Sequence, residues 1–300
     1  MYKIKEKPED FIVEEIIDLN YEENGNYSYF LLEKKDLDSE DAVQNICKNL
    51  NVQRKNIAYC GNKDKIAITK QYISIQNLSK NKRIDHFFNK FSIKYLGQGN
   101  DRLNLGTNKG NKFTIIVKNA NKPKQKKEIL NLFGPQRFSN NNHLIGKEII
   151  KGNFKEAVNL MLQNDGQHEN EIKNYLKKQK NNFVGALRII PKKIIKLYVH
   201  AYQSYLFNLM AKQSDKEYLP LIGFGTDENE IKEILDKENI STRDFIIKSF
   251  PEISSEGDLR KRIIQIEDLE IKKIDEKKYE ISFTLPKGSY ATVVIDELFC

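Results

Sequence analysis

The succession of two hydrophobic periodicities constrains this 300-residue chain more than any other feature. Alternation at period two marks half-buried strands, and recurrence every three to four residues marks amphipathic helix. The first ~120 residues carry mostly the former. Phe11-Ile12-Val13 with Ile16-Ile17, and Tyr27-Ser28-Tyr29-Phe30-Leu31, read as strands. Ile57-Ala58-Tyr59 and residues 71–75, 91–96 and 113–117 follow, with β-branched and aromatic content that suits a pleated surface. One helix interrupts from about Ser39, with Asp38 as N-cap, Asp41 three residues on, and an apolar face of Ala42, Val43, Ile46 and Leu50. From about Pro123, itself suited to a first helical position, the period becomes helical. Residues 153–163, 194–213 and 227–238 are predicted helices. Strand signals return at 262–266 and 279–284, and a last helix is expected over 291–299. Two β-rich ends around a helical middle predict one sheet built from both ends, with the middle inserted. No repeat of solenoid period is visible.

Composition narrows the function classes. Hydrophobic residues make up 39% and charged residues 31%, enough apolar material for a packed core, which excludes wholesale disorder. Fifty Lys and Arg against 42 Asp and Glu leave a net charge of +8, which points toward a polyanion such as nucleic acid. Only eight of the basic residues are arginines, so planar contacts to phosphate or base come from a short list. Trp is absent, and base stacking falls to the 16 Phe and 14 Tyr. No apolar run approaches the ~20 residues that span a bilayer, and residues 1–10 lack the apolar centre of a secretory signal. Three widely spaced cysteines, Cys47, Cys60 and Cys300, fit a reduced cytoplasm rather than a disulfide framework.

Several motifs fail on inspection. Gly106-Thr107-Asn108-Lys109-Gly110-Asn111-Lys112 is one residue short of a phosphate-binding loop, and Phe113 stands where a Ser or Thr is required. His86, His143, His168 and His200 show no metal-ligand spacing with the cysteines. Lysine runs such as residues 122–127 are ordinarily solvated faces. Three segments hold more. In Gly61-Asn62-Lys63-Asp64-Lys65-Ile66-Ala67-Ile68-Thr69-Lys70-Gln71 a carboxylate lies between two lysines in a turn between strands. It is either a charged hairpin tip or an anionic nucleophile in an electropositive pocket that also attracts phosphate. Asn131-Leu132-Phe133-Gly134-Pro135-Gln136-Arg137-Phe138 is expected to end a helix at Gly-Pro and then offers an amide, a guanidinium and aromatics. Leu285-Pro286-Lys287-Gly288-Ser289-Tyr290 is a strand end and turn with an aromatic just before a helix.

With Pro8-Glu9-Asp10-Phe11-Ile12-Val13-Glu14-Glu15, the Lys109-Gly110-Asn111 core and His200-Ala201-Tyr202-Gln203-Ser204-Tyr205-Leu206-Phe207-Asn208, these segments make six motifs in order across almost the whole chain. The chain in this respect resembles the TruD family of tRNA pseudouridine synthases. The resemblance implies an α+β fold: the mixed β-sheet catalytic core of pseudouridine synthases, over 1–139 and 259–300, with a mainly helical TRUD insertion domain, shorter than usual, over 140–258. It implies isomerisation of uridine to pseudouridine in tRNA, with position 13 the expected target. No metal, nucleotide or redox cofactor, no membrane and no obligate protein partner is implied.

The family's catalytic aspartate falls on Asp64, which would act at the ribose of an extruded uridine. Residues around the base map to Phe11, Asn131 and Tyr290: two π-faces, and an amide able to donate to and accept from a uracil edge. Tyr290 departs from the phenylalanine of bacterial members. Its hydroxyl could help carry the proton leaving carbon 5. Lys5 is the expected cation beside Asp64, with Lys63, Arg137 and Glu15 in supporting roles. Two other classes compete: an RNA-binding protein or RNA chaperone that keeps the fold without turnover, which an intact Asp64 disfavours, and an unrelated basic scaffold, which the motif order disfavours.

Overall fold

The computed structural model describes residues 2–164 and 166–300. The chain divides into two compact units, Met1–Ile129 with Gln265–Cys300, and Leu130–Ile264. The first unit opens with β1 (Phe11–Ile16), β2 (Tyr27–Lys35), α1 (Ser39–Leu50), β3 (Ile57–Tyr59), β4 (Ile68–Gln76), β5 (His86–Phe87), β6 (Phe91–Gly99) and β7 (Gly110–Lys118). The chain leaves it through β8 (Glu128–Leu130). The second unit holds α2 (Pro135–Phe138), α3 (Asn142–Ile150), α4 (Phe154–Met161), α5 (Gln167–Lys178), α6 (Phe183–Arg188), α7 (Lys192–Gln213), β9 (Tyr218–Leu221), α8 (Lys232–Glu238) and β10 (Asp258–Lys261). The chain returns through β11 (Ile263–Gln265), which pairs with β8, and finishes the first unit with β12 (Glu267–Asp275), β13 (Lys278–Pro286) and α9 (Ala291–Phe299).

Both ends of the chain do enter one sheet. Its nine strands run β12-β13-β7-β1-β4-β2-β6-β5, with β3 also paired to β4. Neighbours are antiparallel except β1 and β4, which are parallel with Ile12 opposite Ile68. That parallel pair matters for function. Two parallel strands begin at the same end of a sheet, so the segments that lead into β1 and into β4 are neighbours despite their distance in sequence. One face of the sheet carries Phe11 and Val13, Phe30 and Leu32, and Ile73 and Ile75 inward at period two. Part of it is covered by α1, whose Ala42, Val43, Ile46 and Leu50 pack onto Phe30, Leu32, Ile73, Ile75 and Ile93. Asp38 caps that helix through the Glu40 amide. The second unit is a helical core around α3, α4 and α7, centred on Ile145, Ile149, Val158, Val199 and Leu206, with β9 and β10 as an antiparallel ribbon.

Some expectations change. No helix begins at Pro123. That segment is irregular and Pro123 is buried, while Lys124 bonds the Leu298 and Cys300 carbonyls at the end of α9. Lysines and glutamines offer no apolar face there, so the run follows α9 instead of forming a helix. Gly134-Pro135 starts a helix rather than ending one: Gly134 is the N-cap of α2 and Pro135 its first residue, the position where a missing N–H costs nothing. The helix expected over 227–238 is confined to α8; Asp227 turns back onto the Asn229 amide instead. Residues 130–139 lie in the second unit, and with them Asn131 and Arg137.

Gly110 shows why the Lys109-Gly110-Asn111 motif needs its glycine. At the start of β7 it pairs with Ile16 and with Pro286. A Cβ there would lie 2.3 Å from the Leu285 carbonyl oxygen. Gly110→Ala is expected to force β7 and β13 apart at this end and to cost about 1–3 kcal/mol, read as a lower urea midpoint. An unchanged midpoint would show that the strand end can shift freely.

Candidate active site

Asp64 sits on the loop of residues 60–67 between β3 and β4, and that loop is fastened along its length. The Gly106 amide donates to the Cys60 carbonyl at 2.9 Å. Gln71 Nε2 reaches the Gly61 carbonyl at 3.4 Å. The Lys63 amide donates to Ser39 Oγ at 3.1 Å, and that hydroxyl donates to Gln71 Oε1 at 2.8 Å. Lys34 Nζ donates to the Asp64 carbonyl at 2.9 Å. The anchors come from β2, α1, β4 and the turn before β7. Such a frame fixes a side chain better than a free hairpin tip does.

The carboxylate itself remains accessible. Its side chain is 45% exposed, and Lys5 Nζ lies 2.9 Å from Asp64 Oδ1. Parallel pairing of β1 and β4 places the segment before β1 alongside this loop. Lys3 bridges to Lys118 in both directions, and Lys5 then adopts a left-handed backbone with φ 57°, a conformation that costs a residue with a Cβ about 1–2 kcal/mol. The Lys5 ammonium also lies 4.0 Å from the centroid of the Phe11 ring, a cation–π contact. Phe11 is 1% exposed and packs edge-on to Phe113. In this structure its ring supports Lys5 and the core rather than presenting an open face to a base.

Beneath the loop, Lys63 Nζ meets Glu15 Oε1 at 2.5 Å, with side chains 9% and 0% exposed. The second oxygen of Glu15 accepts the Tyr72 amide at 2.9 Å. These two buried charges satisfy one another, as burial requires. Burial also pushes the Lys34 ammonium down to about 8; Asp38 and Asp64 oppose this and Lys63 reinforces it. The Cys60 thiol is pushed up to about 11, chiefly by burial, so it stays protonated at neutral pH and offers no thiolate.

Tyr290 is the N-cap residue of α9. The turn before it reaches the residue 60–67 loop in two steps: Lys287 Nζ donates to the Gly106 carbonyl at 2.7 Å, and the Gly106 amide to the Cys60 carbonyl. Asn131 and Arg137 are described within the second unit. Asn131 is 6% exposed. Its Nδ2 donates to the Lys261 carbonyl at 3.0 Å and its Oδ1 accepts from Arg260 at 2.7 Å. One donor and one lone pair of the amide remain. The Arg260 guanidinium lies 4.2 Å from the Phe133 ring centroid, and that of Arg137 lies 5.6 Å from it. His200 in α7 is pushed down to about 4 by burial, then by Lys196 and Arg137, and is neutral at pH 7. Sequence reasoning misses Lys34, Ser39, Gln71 and Arg260. A signal for Lys34 exists: it follows Phe30 and Leu32 at period two and so must point inward. Among the described residues no cluster of His, Cys, Asp or Glu could hold a metal ion.

Comparison with known proteins places this arrangement. A solved Methanosarcina mazei protein bearing the name tRNA pseudouridine synthase D superposes with a TM-score of 0.70 over 99% of this chain and 93% of its own, at 24% identity. That likeness concerns the fold: the α+β fold of pseudouridine synthases. The family model for tRNA pseudouridine synthase D (TruD) matches residues 2–174, 166–223 and 219–298, and the chain belongs to this family of isomerases. Relatives include the tRNA pseudouridine synthase D of Aquifex aeolicus, 30% identical over 99% of this chain and 98% of its own. A Nanoarchaeum equitans relative, named "Probable tRNA pseudouridine synthase D", is 32% identical over the same shares. Those alignments run to 382 and 378 positions. The relatives therefore carry stretches that this chain of 300 residues lacks. No described helix is long and apolar enough to cross a membrane.

The buried pair beneath Asp64 generates a prediction. Glu15→Gln leaves the Lys63 ammonium unpaired in the interior and is expected to lower the unfolding free energy by about 3–5 kcal/mol. Glu15→Gln combined with Lys63→Met keeps an acceptor for Tyr72 and removes the stranded charge, so most of the loss should return in urea titrations. Equal losses in both variants would place the cause outside the charge.

Proposed function

We propose that this protein converts uridine to pseudouridine in tRNA, with Asp64 as the reacting carboxylate and position 13 as the target. The observation that carries the reading is a solvent-accessible carboxylate, paired to Lys5, on a loop fastened by side chains from three elements of the sheet unit. A uridine within a folded RNA has to leave its stack to meet such a group. Asp64 then acts at the ribose, by attack on the anomeric carbon or by assisting an elimination. The bond from the anomeric carbon to N1 breaks, uracil turns, and the bond to carbon 5 forms. Carbon 5 loses its proton and N1 gains one, so no atoms are gained or lost and no redox partner enters.

Lys5 pairs with the carboxylate and aims it, and the lysines around the loop attract the phosphates that flank the uridine. Tyr290 supplies an aromatic face at the start of α9. Asn131 and Arg137 serve the RNA from the second unit, Asn131 through its remaining donor and lone pair. The protein works in the cytoplasm with tRNA as its partner, a reading supported by the free thiols of Cys47, Cys60 and Cys300.

The test is Asp64→Asn, which keeps the shape and removes the anion. Tritium release from tRNA labelled at carbon 5 of uridine is expected to fall to background, with tRNA affinity and melting temperature nearly unchanged. Appreciable turnover in Asp64→Asn would falsify the assignment, and would return the protein to the class of RNA binders or to a different catalytic group.

A further inference from the structure

Lys34 is a lysine in the interior of a sheet, 1% exposed, with no carboxylate in contact among the described residues. Its Nζ donates to two main-chain carbonyls, that of Leu37 at 2.8 Å and that of Asp64 at 2.9 Å. Leu37 lies between the end of β2 and the cap of α1; Asp64 lies on the loop before β4. One ammonium therefore ties the loop that carries the carboxylate to the corner between β2 and α1. Burying an ammonium is costly, and a methionine or leucine would fill the same space, as the inward Phe30 and Leu32 do on the same strand. A lysine at this place is unfavourable for the core alone.

We propose that Lys34 is a positioning residue: its ammonium fixes the Asp64 carbonyl and hence the backbone from which the reacting carboxylate projects. The inference rests on Asp64 being the reacting group. Charge-assisted hydrogen bonds are about twice as strong as neutral ones, so the grip depends on the proton that Lys34 carries. The groups that bear on that proton are Asp38 before α1 and Asp64 on the loop, which favour it, and Lys63 on the same loop, which opposes it. Burial is the largest influence and brings the folded value to about 8. Thr69, opposite Lys34 on β4, is uncharged. In the unfolded chain a lysine titrates near ~10.4. Between these values the folded protein holds fewer protons than the unfolded one, so the contribution of Lys34 to stability rises with pH. Its hold on the Asp64 carbonyl weakens over the same window. Activity and stability thus move in opposite directions, which a merely structural lysine does not require.

The experiment compares wild type with Lys34→Met by steady-state kinetics and melting from pH 7 to 9.5. At pH 7 the variant should lose roughly ten-fold or more in kcat, the scale of a misplaced catalytic group, with KM for tRNA within about two-fold. The ratio of wild-type to variant kcat should shrink as pH rises through 8, while the melting temperature of wild type gains on that of the variant. An unchanged kcat per folded molecule, or a ratio constant across the range, would overturn the proposal. If Lys34→Met does not fold, the wild type alone decides: its kcat must decline across pH 8, and a flat profile to pH 9.5 overturns the inference. Asp64→Asn run in parallel separates the two readings. If it is inactive while Lys34→Met is normal, only the role of Lys34 fails; if it is active, the assignment of the carboxylate fails first.

Discussion

A charge taken out of water must find partners nearby, and that requirement organises the centre of the nine-stranded sheet. On β1, β2 and β4 the inward face turns from apolar to polar over two successive levels: Glu15, Lys34, Thr69 and Gln71 occupy positions where alternation would put hydrophobic side chains. An apolar layer there would leave the residue 60–67 loop to wander. The polar layer gives Lys63, Ser39, Gly61 and Asp64 specific seats, so the loop is held by the interior of the protein instead of by its own turn. The cost is real, since buried ion pairs are poor contributors to net stability. What they supply is a single arrangement of the chain in front of the sheet.

Much of this fold is legible in the sequence. Strands that bury one face read clearly, as β2 does in Phe30 and Leu32, and α1 and α9 follow from their apolar stripes. The exceptions have physical causes. β12 buries no residue and is mostly charged, as suits a strand at the sheet edge that, among the described residues, pairs with β13 alone; alternation cannot reveal a strand that faces solvent on both sides. Pro123 and Gly134-Pro135 carry the right residues for a helix start and for a break, but the neighbouring chain decides which is used. Within the candidate site, Asp64 between lysines is visible, and the partnership with Lys5 is legible only through family resemblance, because it joins residues 59 positions apart in sequence. Gln71 closes the segment of residues 61–71 but receives no role from sequence, and Ser39 only marks a helix start; the register of β4 and the packing of α1 bring them to the loop.

Phe11 shows how the surroundings of a residue alter the physical reading of its type. An aromatic at a strand start suggests a face for stacking. In place, the ring lies edge-on to Phe113 and against the Lys5 ammonium, so it packs into the core and supports a cation. The same holds for Asn131, whose amide is already engaged with Arg260 and the Lys261 carbonyl, and which keeps only part of its hydrogen-bonding capacity for another molecule.

The insertion of the second unit has a consequence for how the protein is made. β7, with Phe113, Ile115 and Val117 buried in the finished sheet, is flanked by β1 on one side and by β13 on the other. During synthesis β1 is already present, but β13 follows only after the whole of Leu130–Ile264 has been added. At the usual rates of elongation that interval is on the order of ten seconds. Throughout it β7 offers an unpaired edge beside apolar side chains, the arrangement that invites pairing with another chain. The nascent protein is therefore most vulnerable to aggregation while the inserted unit is being translated, and its yield in a cell depends on how quickly its last strands leave the ribosome.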